Sequence, residues 1–175
     1  MTIRQATDAD IDAVERGYTE LLTHEKEHGS NSNWVLGLYP TRAVAEKGLV
    51  LKTLYVLEDA GTVRASMVLN GEEAEEYRRI PWPYPAGPGE VLVIHTLCIP
   101  PSGARRGFGK AMVEFAIRRA EETGCRVLRI DTWAENKPAI SFYGKLGFRL
   151  AGKTDILLQG LIPEEQVFLE RKVSG

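Results

Sequence analysis

One segment constrains the fold more than any other. Val91 to Ile99 is strongly apolar, broken only by His95 and Thr96, and it is followed by a turn, Pro100-Pro101-Ser102-Gly103, and a basic glycine loop. A run of this length bounded by turn residues reads as a buried central strand. After the loop, Gly109, Met112, Val113, Ala116, Ile117 and Ala120 recur at helical spacing, and Gly124 closes the helix. Val127 to Thr132 is then a second apolar strand. A strand-helix-strand order is a crossover, and crossovers join parallel neighbours. The chain is thereby committed to a layered mix of helices and sheet.

The flanking segments add antiparallel pieces. Ile3 to Ala6 is a short strand, and Thr7 or Asp8 caps a helix on which Ile11, Val14, Tyr18, Leu21 and Leu22 line one face. His24 to Trp34 reads as a loop or a fraying helix end. Arg42 to Lys47 reads as a second helix closed by Gly48. Leu54–Leu57 and Thr62–Leu69 form a hairpin around Asp59-Ala60-Gly61. Asn136, as N-cap, and Pro138 open a last helix ending at Gly147, and Phe148–Leu150 and Gln166–Arg171 close the sheet. Asn70 to Glu90 is the least regular part, and irregular segments of that length are often functional. No repeat or composition shift marks a second domain, so residues 1–175 read as one domain.

The charge balance excludes some partners. With 22 Lys+Arg against 24 Asp+Glu, the formal net charge is −2. Dedicated nucleic-acid or membrane-surface binders usually carry a large basic excess. Neither Cys98 nor Cys125 has a Cys or His neighbour at zinc spacing, so no metal site or disulfide framework is expected. The N-terminus lacks a signal-peptide core, and the longest apolar run is about half a membrane span, which points to a cytoplasmic protein.

The candidate site is Ala104-Arg105-Arg106-Gly107-Phe108-Gly109-Lys110, set between an apolar strand and a helix start. Glycines admit close approach of a ligand, and the free amides of a helix N-terminus favour an anion. Arg105, Arg106 and Lys110 add charge suited to phosphate. A glycine turn that merely packs helix on sheet is the bland alternative. A Walker A loop fails on spacing, and Ala111 stands where Ser or Thr should follow the lysine. A dinucleotide fingerprint fails because Met112 replaces its third glycine.

At these residues the chain resembles the GNAT superfamily of acyl-CoA-dependent N-acetyltransferases. The loop is similar to that family's [QR]-x-x-G-x-[GA] motif, matching at Gly107 and Gly109 and departing at Ala104. Asn136 to Phe148 resembles the family's N-x-x-A-x-x-x-Y-x-K-x-G-F segment, and Leu97-Cys98-Ile99-Pro100 resembles the strand that pairs with pantetheine. The resemblance implies an α/β (α+β) fold: a mixed, mostly antiparallel sheet of six to seven strands with a central splayed pair forming the coenzyme A cleft. It implies acetyl-CoA as acyl donor, with the pyrophosphate on Ala104 to Lys110 and the pantetheine arm along Leu97 to Ile99. Asn136, Ala139, Phe142, Tyr143 and Lys145 would complete that site. Asn136 also serves as a plain helix cap, and Lys145 equally reads as a solvated surface lysine.

Acetyl transfer to an amine needs a proton donor for the leaving thiolate and an acceptor for the amine proton. The resemblance assigns the first to Tyr143, which also reads as a packed core tyrosine. His95, the one histidine on an apolar strand, has the right intrinsic pKa for the second, or is structural. A backbone N–H near Leu97 to Ile99 would hold the oxyanion. Trp34, Tyr39, Tyr77, Trp82, Tyr84 and Trp133 would border the acceptor side or cover the core, and Glu72, Glu73, Glu75 and Glu76 would attract a cation or form a solvated face. The acceptor is a small-molecule or peptide amine that the sequence does not name. It leaves a homodimer open, and it leaves a non-catalytic acyl-CoA sensing module as the alternative reading.

Overall fold

A computed structural model describes residues 1–173. The elements run β1 (Thr2–Gln5), α1 (Ile11–His28), α2 (Arg42–Val50), β2 (Leu54–Asp59), β3 (Thr62–Asn70) and β4 (Val91–Cys98). They continue through α3 (Phe108–Glu122), β5 (Val127–Trp133), α4 (Lys137–Lys145), β6 (Arg149–Leu158) and β7 (Ile162–Lys172). The seven strands are ordered β1-β2-β3-β4-β5-β7-β6. β4 and β5 pair parallel, as the crossover requires, while β1–β2, β2–β3, β5–β7 and β6–β7 pair antiparallel. This is the mixed, mostly antiparallel α/β sheet that the resemblance implies.

The chain forms two compact units. The first comprises Met1–Ser30, Trp34–Leu69 and His95–Phe115, and the second comprises Asn31–Asn33, Asn70–Ile94 and the chain from Ala116 onward. In the first unit Ile11, Val14 and Tyr18 on one face of α1 pack with Ala45, Leu54, Val56, Val68 and Cys98. Each fully buried Val, Leu or Ile among them contributes about 1.5–3 kcal/mol. In the second unit Tyr77, Ile80, Val91, Val93, Val127 and Phe168 form the core, with Trp82 and Tyr84 packed against it.

Four boundaries differ from the sequence reading. α1 continues to His28, where His24 and His28 stack at 4.3 Å, so His24 belongs to a helix and not to a loop. Gly48 does not close α2, which runs on to Val50. A Cβ on Gly48 would lie 3.1 Å from Leu54 Cβ and 3.4 Å from Val68 Cγ2, so the glycine is there for close approach of helix to sheet. The last two strands are far longer than the short runs that the sequence pattern predicts. Gly152 and Pro163 are strand breakers by type, but Gly152 falls at an irregularity of β6 and Pro163 near the start of β7, where both are tolerated. Among the described residues no helix is long and apolar enough to cross a membrane.

Candidate active site

The site begins where the β4–β5 ladder stops. Val91–Ile94 pair with Val127–Ile130, and β4 then continues to Cys98. Within that continuation Thr96 has a φ of 48°, the left-handed region. A β-branched residue there is strained and persists only where its surroundings fix it. Tyr39 Oη and Thr96 Oγ1 share a buried hydrogen bond of 2.7 Å that does so. Such a kink re-aims the backbone that follows, here Leu97, Cys98 and Ile99. Alternation along β4 puts half-buried His95 on the face of Val91 and Val93. Cys98 is 1% exposed, and burial pushes its thiol up to about 12, which disfavours the reactive thiolate.

The glycine loop lies in the same unit. The amide of Ala111 is the first in α3 with a helical acceptor, donating to Gly107 O at 3.0 Å. The amides of Phe108, Gly109 and Lys110 are therefore the orphan donors of a helix start. Gly107 has a φ of 80°, and a Cβ built on it meets no atom within 4 Å, so the loop opens onto free space. Arg105 also takes a left-handed φ, of 60°. Phe108 is buried and anchors the loop, and the Arg106 guanidinium lies 4.8 Å from its ring centroid. Arg106 is tied to Asp59 at 3.0 Å, while Lys110 reaches Glu114 at 3.6 Å. Ala104, Arg105, Arg106, Gly107 and Lys110 are exposed. Open glycine, unspent amides and flanking cations fit the diphosphate of a coenzyme.

The remaining candidates lie in the second unit. Asn136 caps α4, its Oδ1 accepting from the amide of Ala139 at 3.2 Å, and its Nδ2 donates to Thr132 Oγ1 at 3.1 Å. Both readings of Asn136 stay compatible, because the carboxamide has further hydrogen-bonding capacity. Tyr143 is 6% exposed, and its ring meets Phe142 and Phe148 edge-on at 5.1 and 5.6 Å. Burial first, and the charge of Asp131 second, raise its pKa well above that of a free phenol. The hydroxyl therefore keeps its proton and can donate it. Ala139 and Phe142 are half-buried and Lys145 is exposed.

Residues 70–90, expected at the acceptor side, are largely committed to packing. Tyr77 lies edge-on to Phe168 at 5.2 Å and donates from its hydroxyl to Asp131 Oδ1 at 2.5 Å. Trp82 Nε1 donates to the Tyr77 carbonyl, and its ring stacks on the Arg129 guanidinium at 3.9 Å. Glu73, placed by sequence in a solvated or cation-attracting run, is instead paired with Arg129 at 2.5 Å. Trp34 meets Tyr39 edge-on at 5.8 Å in the first unit, while Tyr84 and Trp133 are half-buried in the second.

Sequence reasoning missed one group. Buried Glu164 and Gln166 and half-buried Asn33 form a polar cluster in which Asn33 Nδ2 donates to Glu164 Oε2 and Gln166 Nε2 to Glu164 Oε1, both at 2.8 Å. Alternation puts Glu164, Gln166, Phe168 and Glu170 on one face of β7, and a polar-apolar count along the strand would have found it. Asn33, distant in sequence, carried no signal. Burial raises the pKa of Glu164. Among the described residues, no group of three or more His, Cys, Asp or Glu side chains is placed to hold a metal ion.

Comparison with known proteins agrees with the fold. A Streptococcus agalactiae acetyltransferase of the GNAT family superposes with a TM-score of 0.82 at 20% identity, covering 99% of this chain and 96% of that one. A Salmonella typhimurium protein solved with its cofactor acetyl-CoA gives a TM-score of 0.67 at 19% identity, covering 100% and 95%. An uncharacterized N-acetyltransferase of Methanocaldococcus jannaschii is 41% identical over 59 residues, 34% of this chain. The match spans only 26% of that relative's length. The model of the Acetyltransferase (GNAT) family matches residues 51–148, more than half of the sequence, from β2 through the glycine loop to Phe148. The chain belongs to the GNAT acetyltransferase family.

Proposed function

We propose that the protein is an N-acetyltransferase that takes an acetyl group from acetyl-CoA and passes it directly to a primary amine. The observation that carries this reading is the α3 start, where orphan amides of residues 108–110 adjoin the open, left-handed Gly107 and the exposed Arg105 and Lys110. Such an arrangement is an anion cradle. In this reading Ala104 to Lys110 hold the diphosphate. The backbone of Leu97 to Ile99, re-aimed by Thr96, binds the pantetheine amides and donates an N–H to the carbonyl oxygen as charge develops there. Asn136, Ala139, Phe142 and Lys145 complete the coenzyme site.

The chemistry needs two proton transfers. The acceptor amine gives up a proton, for which His95 is the base, acting directly or through water. The amine nitrogen bonds to the thioester carbon, and the C–S bond breaks. Tyr143, held neutral by burial and by Asp131, protonates the departing sulfur. With Cys98 deeply buried, this reading takes direct transfer in a ternary complex as the route, with no acyl-cysteine step. Residues 1–175 are read as one such domain, working in the cytoplasm without a metal.

The test is a thermal shift with acetyl-CoA. Wild type is stabilised by ligand mass action, by about 2.7 kcal/mol at one hundred times Kd. Gly107→Val places a side chain where φ is 80° and where the diphosphate would lie, and it should abolish the shift in a folded protein. An unchanged shift in Gly107→Val would overturn the loop assignment.

A further inference from the structure

Two glutamates of β7 are buried, and only one meets a cation. Glu170, 0% exposed, accepts both Nε and Nη2 of Arg129, at 3.0 and 2.9 Å. Glu164, 8% exposed, is held only by the neutral amides of Asn33 and Gln166. No Lys, Arg or His pairs with it among the described residues. Amide donors fix the orientation of a carboxylate but leave its charge unanswered. A charge more than nine-tenths buried without a counter-ion is costly, and burial accordingly raises the pKa of Glu164.

β7 runs beside β5, with Phe168 opposite Asp131 and Gln166 opposite Trp133, so alternation puts Glu164 and Asp131 on one face of the sheet. Asp131 is among the charges acting on Glu164 and on Tyr143 alike, so the lone carboxylate shares an electrostatic environment with the proposed acid. Of the acidic run at residues 72–76, Glu73 is already spent on Arg129.

We infer that Glu164 docks a cationic group of the acceptor, and so selects amines that carry a second positive charge. This rests on the acetyl-transfer reading above. The group held by Glu164 stays protonated and supplies the missing counter-charge, so a different nitrogen of the acceptor must be the nucleophile. Asn33 and Gln166 are positioning residues that keep the carboxylate oxygens in place. An acceptor with a carboxylate at that end meets repulsion from Glu164.

Three probes of equal chain length separate the alternatives: 1,4-diaminobutane, 1-aminobutane and 4-aminobutanoate. In wild type the diamine should raise Tm and give the highest kcat/KM, about tenfold or more over 1-aminobutane, with 4-aminobutanoate lowest. In Glu164→Gln that order should collapse to within about threefold, through KM rather than kcat, with the acetyl-CoA thermal shift kept. Asn33→Ala, which frees the carboxylate without removing it, should fall between the two. Selectivity that survives in Glu164→Gln, or a wild type indifferent to the second charge, overturns the inference. An acetyl-CoA shift without charge selectivity sinks only the docking role. A failed acetyl-CoA shift sinks the acetyl-transfer reading, while a diamine shift lost in Glu164→Gln still supports docking. Should Glu164→Gln fail to fold, the wild-type order and Asn33→Ala decide.

Discussion

The two ends of β7 show opposite treatments of the same side chain. At one end Glu170 is enclosed by Arg129, by the amide of Tyr84 at 3.1 Å, and by Trp82 stacked on the guanidinium. Glu73 adds a second carboxylate to the same arginine. Every charge there has its partner, and the cluster closes the core of its unit. At the other end Glu164 is buried almost as deeply with only amides for company. The first arrangement is built to hold the fold. The second sacrifices stability, which is the usual signature of a group kept for function.

Removing the cation from the closed end should have the largest effect. Arg129→Met leaves Glu170 buried and unpaired, at a cost of about 3–5 kcal/mol. The double variant Arg129→Met with Glu170→Gln should recover most of that loss, because the two effects are coupled. Urea midpoints of the four members of the cycle measure this. Additive losses would mean that the pair does not act as a unit.

The next effect is on rate. Tyr143→Phe removes the hydroxyl that neighbours Asp131 electrostatically, and it should lower kcat about 100-fold or more while the acetyl-CoA thermal shift stays. An unchanged kcat would return Tyr143 to the core. The smallest effect is the most pointed, since it has the opposite sign. Glu164→Gln should stabilise the unliganded protein by about 1 kcal/mol near neutral pH.

The pH dependence has the same origin. A carboxyl whose folded pKa is raised contributes its full stability below the unfolded pKa, and that contribution is lost as pH rises through the folded value. Wild type should therefore lose stability relative to Glu164→Gln as pH climbs through that window. A Glu164→Gln protein that is less stable than wild type at neutral pH would make the two ends of β7 alike and remove the contrast.

The contrast also shows what a sequence can and cannot carry. The order of elements, the parallel β4–β5 pair and the glycine loop follow from periodicity and punctuation, which are local. Gly48 was misread because helix closure and close packing use the same residue, and only the approach of Leu54 and Val68 separates them. β6 and β7 were cut short because Gly152 and Pro163 are breakers by type, while pairing over the rest of the hairpin overrides them. Tyr77 and Glu73 looked like acceptor-side residues because nothing local reveals Asp131 and Arg129, more than fifty positions away. Alternation along β7 can put Glu164 on one face with Gln166 and Glu170, but it does not reveal the burial of that carboxylate against Asn33. Its meaning lies in the cation that is missing, and only the packed structure shows it.

The central claim is acetyl transfer to an amine, and thiol release from acetyl-CoA tests it most directly. With the purified protein and the three amines above, the account predicts release that depends on added amine and is strongest with 1,4-diaminobutane. It also predicts that Tyr143→Phe loses that release while acetyl-CoA still raises its Tm. Acetyl-CoA that stabilises the protein with no amine-dependent thiol release from any acceptor tried would contradict the account, and would make the chain an acyl-CoA sensing module.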